Sequence, residues 1–373
     1  MKLIYLIAGT YRPAGMERVL ANKANWLSRH GYDILVVTTD QRGRKPAFAF
    51  EPGIRHIDLG VNYEENNGGS FFDKLVHYPL KQLMHRRRLA RLLKAEKADI
   101  VVSMFCNDAA FLPKIKDGSH KVLEIHFWRF KRLQYARSGL WAIADRLRSA
   151  NDVRTVRKFE KFVVLTREDR GYWGDMPNIT VIPNAQTFTC PEPAALDSRQ
   201  VLAVGRYAYQ KGMERLLDAW KAIPAAVRDG WTLRIAGDGE CRAQLEDQAL
   251  ELGISGSIIF GPSGDMLNEY MNSSIVALSS RYEGLPMVLI EAQSAGLPIV
   301  SFTCKCGPLD VVTDGVDGML VPEGDVTALA EKLSMLMSDE AMRKRMGAAA
   351  YKASERYAEE AIMKQWTDLF EGL

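Results

Sequence analysis

The chain has 373 residues, of which 47% are hydrophobic and 25% charged, with a net charge of +3. At about 150 residues per domain this length predicts two domains, and the composition excludes collagen-like, disordered and disulfide-scaffold classes. Five cysteines without regular spacing fit a reducing compartment, and no run approaches the roughly 18 apolar residues that span a bilayer, so a cytosolic location is expected.

Apolar runs alternate with amphipathic segments along the whole chain, the pattern of βα units and a mainly parallel sheet. The start, Met1 to Leu6, reads as a buried strand rather than a signal peptide. Strands are predicted at 2–8, 33–38, 54–59, 99–103, 120–126, 162–166 and 179–182. A helix over about 15–30 separates the first two and ends at Gly31, a residue suited to a C-cap. Asn62 to Ser70 has no periodicity and predicts a mobile loop. Pro183, Pro191 and Pro193 then interrupt the pattern before Val201 opens a second series. Its strands are predicted at 200–205, 231–236, 257–260, 274–278 and 298–301, alternating with helices near 211–223, 241–253, 265–272 and 286–296. The last segment, roughly 339–370, is helical and amphipathic.

The expectation is an α/β chain of two Rossmann-like domains, 1–185 and 186–350. A C-terminal helical segment, 351–373, is expected to pack back toward the first. Ligands of such sheets sit beyond the carboxyl ends of the strands, so a cleft between the domains is the default site. Charge divides the halves: residues 81–162 carry a net +12 and residues 163–373 a net −11.

Two constellations carry chemistry. Val204-Gly205-Arg206-Tyr207 with Lys211-Gly212 falls where a strand ends and a helix begins. Free backbone N–H groups there, reinforced by two cations, form an anion seat. One cation about 4 Å from a phosphate charge contributes on the order of 4 kcal/mol at an effective dielectric of 20, so the pair could do the work of a magnesium ion. Taken alone, these two residues read more simply as exposed loop cations. The second is Ser280-Arg281-Tyr282-Glu283-Gly284-Leu285-Pro286 running to Glu291-Ala292. Pro286 suits the start of a helix, which would bring two carboxylates near one helix N-terminus. Glutamates eight apart are common by chance, so the spacing carries little without its surroundings. Cys304 and Cys306 form a Cys-x-Cys pair, but a structural zinc site needs four ligands and no second pair lies nearby, so no metal is expected.

With those surroundings the chain resembles glycosyltransferase family 4, the retaining GT-B enzymes, whose hallmark is Glu-x7-Glu in the form E-G-x-P-x-x-x-x-E-A. The likeness includes Gly205-Arg206 with Lys211-Gly212, Ala236-Gly237-Asp238-Gly239-Glu240, Gly296 to Val300, and Gly307-Pro308-Leu309-Asp310 with Asp314-Gly315. In the first half it is thinner: the turn Pro13-Ala14-Gly15-Met16-Glu17 resembles the family's Gly-Gly-x-Glu, and His126 a histidine at the end of an N-domain strand. Ile182-Pro183-Asn184 resembles Ile-Pro-Asn-Gly, but Ala14 and Ala185 stand where the family has glycine.

The resemblance implies that Arg206 and Lys211 hold the diphosphate of a nucleotide-sugar donor, and that Glu291 accepts hydrogen bonds from the ribose. Glu283, Gly284 and Leu285 would face the donor sugar and its phosphate, Gly15 would approach the diphosphate, and His126 would touch the sugar. Gly237 and Glu240 would border the nucleoside. Arg206, Lys211, Glu283 and His126 form the implied catalytic set. Breaking a glycosyl–phosphate bond builds negative charge on the leaving diphosphate, so fixed cations are the main requirement and no carboxylate nucleophile is essential. The implied reaction is metal-independent and cofactor-free, with retention of anomeric configuration. A UDP-linked hexose or N-acetylhexosamine is the first expectation for the donor and GDP-mannose the second.

The basic block contains His85 to Lys94, Phe127 to Leu133 and Trp141 to Lys161. Cations mixed with Trp, Phe and Leu suit an anionic membrane surface, and a solvated helical face is the plainer alternative. No nucleic-acid module is visible. A polyprenyl-diphosphate-linked glycan is the expected acceptor, with the enzyme peripheral on the cytoplasmic face of the inner membrane, in cell-surface polysaccharide synthesis. A non-hydrolysing nucleotide-sugar epimerase of the same fold and a non-enzymatic nucleotide-sugar-binding protein are the alternatives.

Overall fold

The computed structural model describes residues 1–66, 71–131, 140–262 and 264–373, with the side chains of 66, 71–76 and 140–144 left aside. The chain divides into two compact units: residues 1–165, 169–182 and 363–373 form the first, and 166–168 with 183–362 the second. The expected tail 351–373 is therefore shared, its final eleven residues belonging to the first unit.

The first unit has a seven-stranded sheet in the order β3-β2-β1-β4-β5-β6-β7. Its strands are β1 (Lys2–Ile7), β2 (Asp33–Thr38), β3 (Arg55–Asp58), β4 (Ile100–Ser103), β5 (His120–Glu124), β6 (Lys161–Val164) and β7 (Ile179–Val181). Every pairing is parallel, with Leu3 opposite Ile34 on one side and Ile100 on the other. Leu3 to Ile7, Ile34 to Val37 and Ile100 to Val102 are buried throughout. Continuous apolar runs are what a sheet covered on both faces requires. Helices α1 (Gly15–Arg29), α2 (Phe71–Glu96), α3 (Leu140–Val156) and α4 (Arg167–Trp173) connect these strands. Sheet order reverses between β1 and β4, the switch point where α/β sheets bind ligands. Of the loop expected at 62–70, Tyr63–Asn66 is a 3-10 turn whose Glu64 accepts from the Tyr11 hydroxyl at 2.6 Å and pairs with Arg12 at 2.7 Å. Residues 67–70 lie outside the described residues.

In the second unit six parallel strands run in the order β10-β9-β8-β11-β12-β13. They are β8 (Gln200–Val204), β9 (Thr232–Ala236), β10 (Ile258–Gly261), β11 (Ile275–Leu278), β12 (Ile299–Phe302) and β13 (Gly318–Val321). The last was not anticipated: four residues after the turn at Asp314-Gly315 are too short a run to show a period. Helices α5 (Met213–Ala222), α6 (Ala225–Arg228), α7 (Arg242–Glu251), α8 (Met266–Met271), α9 (Met287–Ser294), α10 (Pro308–Val311), α11 (Val326–Ser338) and α12 (Glu340–Ala353) cover it. Trp220, Leu233, Ile235, Phe302 and Leu333 pack in one core. Residues 166–168 join this unit because the Asp310 carboxylate accepts from the Arg167 and Glu168 N–H groups, while Glu168 accepts from the Cys306 N–H. The final helix, α13 (Glu359–Glu371), carries Trp366 and Phe370 into the first unit.

Candidate functional site

In the second unit the ends of β8 and β11 bring two distant loops together. Arg206 follows β8 and is exposed, without an ion pair among the described residues. Lys211 closes a 3-10 turn, Tyr209–Lys211, and its aliphatic stem lies against Gly205, where an added Cβ would come within 3.2 Å of it. Gly212 then takes the left-handed region at φ 59°, and a Cβ there would fall 2.4 Å from the Ser279 carbonyl oxygen. Glycine is demanded by both the backbone angle and the close approach. Further bonds stitch the loops: the Arg281 N–H donates to the Gln210 carbonyl at 2.8 Å, and the Gln210 amide to the Tyr282 carbonyl at 3.0 Å.

That stitching delivers Lys211 Nζ to 2.8 Å from Glu283 Oε1, which also accepts from the Ser280 hydroxyl at 2.6 Å. Both donors use one carboxylate oxygen, and among the described residues no other donor reaches Oε2. The Lys211 side chain retains 19% of its exposure, and that of Glu283 7%. Gly284 and Leu285 follow directly, and their N–H groups make no hydrogen bond among the described residues. Pro286, expected to start the helix, is instead the N-cap of α9, which begins at Met287. The two loops thus offer an anion one lysine, one exposed arginine and two unspent N–H groups.

Glu291, buried on α9, has hydrogen-bond partners different from those of that pair. Its Oε1 accepts from the Thr187 hydroxyl at 2.6 Å and its Oε2 from the Tyr270 hydroxyl at 2.8 Å. Burial and the Glu291 charge push the Tyr270 phenol well above its ordinary value, so it stays a donor. A carboxylate oxygen has two lone pairs, so each can still take a hydroxyl from a ligand. Gly237 lies where β9 ends against β8, and a Cβ there would stand 2.0 Å from the Gly205 carbonyl oxygen. Glu240 is exposed on the same turn and joins neither carboxylate cluster. Cys304 and Cys306 are buried free thiols. Burial, with Glu283 second, pushes the Cys304 thiol up and keeps it protonated. Among the described residues no group of three or more His, Cys, Asp or Glu side chains is placed to hold a metal ion.

In the first unit Gly15 opens α1, and a Cβ there would meet nothing within 4 Å. The protein itself leaves that space open. His126, just past β5, has Nε2 3.0 Å from Glu124 Oε1. The ring N–H is not aimed along this contact, which makes it electrostatic more than a formed hydrogen bond. Glu124 is fully buried and pairs with Lys23 at 2.5 Å. Burial alone would raise this carboxyl, but Lys23 and His126 overcome it and hold Glu124 at about 2.

Sequence reasoning missed Lys23, Glu124, Thr187 and Tyr270, and it named Ser280 without a role. A signal existed for two of them. Lys23 interrupts the buried face of α1 formed by Val19, Leu20, Ala24 and Leu27, and Glu124 stands two residues before His126, on the same strand face. The basic segment needs a correction. Trp128 is buried against Phe130 and Tyr172, and Arg129 lies 4.5 Å from the Trp173 ring centre, so these aromatics pack inward rather than facing a membrane. Arg132 and Leu133 lie outside the described residues, as does the side chain of Trp141.

Two parallel-sheet units, the second with a lysine–glutamate pair and open N–H groups at its strand ends, are the architecture of a GT-B glycosyltransferase. Residues 13–185 match Glycosyltransferase Family 4 and residues 189–353 match Glycosyl transferases group 1. The chain is 30% identical over 379 aligned residues to the amylovoran biosynthesis glycosyltransferase AmsD of Erwinia amylovora, covering 99% of each. A second relative, from Campylobacter jejuni, is 25% identical over 99% of this chain and 98% of its own. It is named as the α-1,4-N-acetyl-D-galactosaminyltransferase acting on a diNAcBac-PP-undecaprenol-linked acceptor. The solved structure of Anabaena Alr3699/HepE in complex with UDP superposes with a TM-score of 0.75 at 19% identity, covering 100% of both chains. The chain belongs to glycosyltransferase family 4, and it is a glycosyltransferase. Its relatives work in polysaccharide and lipopolysaccharide synthesis.

Proposed function

We propose that this enzyme transfers a hexose or N-acetylhexosamine, with retention, from a UDP-sugar to a lipid-linked glycan during cell-surface polysaccharide assembly. The observation that carries the reading is the Lys211–Glu283 pair beside exposed Arg206 and the open N–H groups of Gly284 and Leu285. In the proposed reaction Arg206, Lys211 and those N–H groups take up the charge that grows on the leaving diphosphate. Glu283 faces the sugar, Glu291 binds the ribose hydroxyls, and Gly237 and Glu240 border the base. In the first unit, Gly15 is assigned to the diphosphate and His126 to the sugar. The UDP named in the HepE structure and the polyprenyl diphosphate named in the Campylobacter relative support the donor and acceptor chosen.

Membrane attachment is proposed through α2, which exposes Tyr78, Leu80 and Leu83 together with Arg86, Arg87, Arg91 and Lys94. Apolar side chains beside cations suit an anionic headgroup layer. No described helix is long and apolar enough to cross a membrane.

A thermal-shift panel of UDP-glucose, UDP-galactose, their N-acetyl forms and GDP-mannose tests the donor. Stabilisation by at least one UDP-sugar is expected. Glu291→Ala should weaken that donor by about 10-fold or more, the worth of a charged hydrogen bond. A response to GDP-mannose alone, or an inverted anomeric proton coupling in the product, would overturn the reading.

A further inference from the structure

Lys23 points from α1 into the first unit, with Nζ 2.5 Å from Glu124 Oε1 and 3.6 Å from the centre of the Trp366 ring on α13. The same Glu124 oxygen is the one 3.0 Å from His126 Nε2. Glu124 Oε2 and the buried Tyr5 hydroxyl have no hydrogen-bond partner among the described residues. A buried ion pair is a poor device for stability alone, because well-packed apolar residues of similar volume serve as well or better. Here the pair ends on a histidine at the carboxyl end of a parallel strand, the edge where such sheets bind ligands. Glu17 on α1, a buried carboxyl raised by its burial, is a second acidic group in electrostatic reach of His126.

We propose that Lys23 and Glu124 are positioning residues for His126: the lysine anchors the carboxylate, and the carboxylate's charge, 3.0 Å from Nε2, holds the imidazole in place. Trp366 seals the lysine from water, so the C-terminal helix takes part in the arrangement. This inference rests on the reading of His126 as a donor-facing residue.

The test uses the full-length enzyme with Lys23→Met and Glu124→Gln combined, which removes both charges and leaves no buried ion unpaired. Expected results are a thermal midpoint close to wild type, altered ring 15N shifts for His126, and kcat for UDP release about 10-fold lower or more at unchanged donor KM. In a His126→Ala background the same pair of changes should add nothing further, since residues acting through one group are not additive. Unchanged His126 ring shifts, or losses that multiply with His126→Ala, would overturn the proposal. Absence of turnover with every UDP-sugar would instead count against the donor reading, and the ring shifts would still decide this one.

Discussion

Each unit places one lysine–glutamate pair at the carboxyl ends of its strands, and the two pairs differ in access to water. Lys23 and Glu124 keep 5% and 1% of their side-chain exposure, Lys211 and Glu283 19% and 7%. The closed pair is bounded by β5, α1 and a tryptophan ring. The open pair lies between two loops, next to unspent backbone N–H groups. A lysine in the second setting can exchange its carboxylate for a phosphate at modest cost. One in the first cannot, because its charge has no solvent route once the partner is removed. The same residue types therefore serve different ends, and accessibility separates them.

The largest effect expected from this contrast is on stability. Glu124→Gln alone strands Lys23 in an apolar site and should cost about 3–5 kcal/mol in denaturant unfolding. Glu283→Gln should cost far less, since Lys211 can turn to water. Equal losses would erase the distinction. The pH dependence has a definite sign. Glu124 titrates lower in the folded protein than its ordinary value of about 4.3. Its contribution is thus complete above about pH 5 and disappears as pH falls toward 2. The variant carrying both Lys23→Met and Glu124→Gln should lose this part of the acid-unfolding slope.

Next in size is turnover. Lys211→Ala should lower kcat by about 10²–10³-fold, the range for losing one preorganised donor to a developing anion, with the thermal midpoint little changed. A variant that keeps full turnover would mean that the open pair is only a loop fastener.

The smallest effect concerns the charge contrast between residues 81–162 and the acidic remainder. Flotation with phosphatidylserine-containing vesicles at low salt should show binding, and Arg86→Glu with Arg87→Glu should reduce it by about 30-fold or more, at about 1 kcal/mol per cation. Binding that survives these changes, or that never occurs, would return α2 to an ordinary solvated face.

Much of this molecule was legible from local pattern. Runs such as Leu3 to Ile7 and Val201 to Val204 announced buried parallel strands, and twelve of the thirteen strands fall where apolar periodicity put them. The motif from Glu283 to Glu291 was legible because its parts lie within one turn and one helix. Where periodicity was absent the reading was weaker. Asn62 onward read as a loop, yet Glu64 is fastened by Tyr11 and Arg12, partners more than fifty residues away in sequence.

Sequence by itself determined the two sheets, the family and the identity of the residues on the loops that follow β8 and β11, since each depends on neighbours a few positions apart. Tertiary structure alone decided which charges meet. Lys23 finds Glu124 across 101 residues, Lys211 finds Glu283 across 72, and Thr187 reaches Glu291 across 104. Strand order in the parallel sheets brings these positions together, and burial then decides whether a charge must keep its partner or can release it to a substrate.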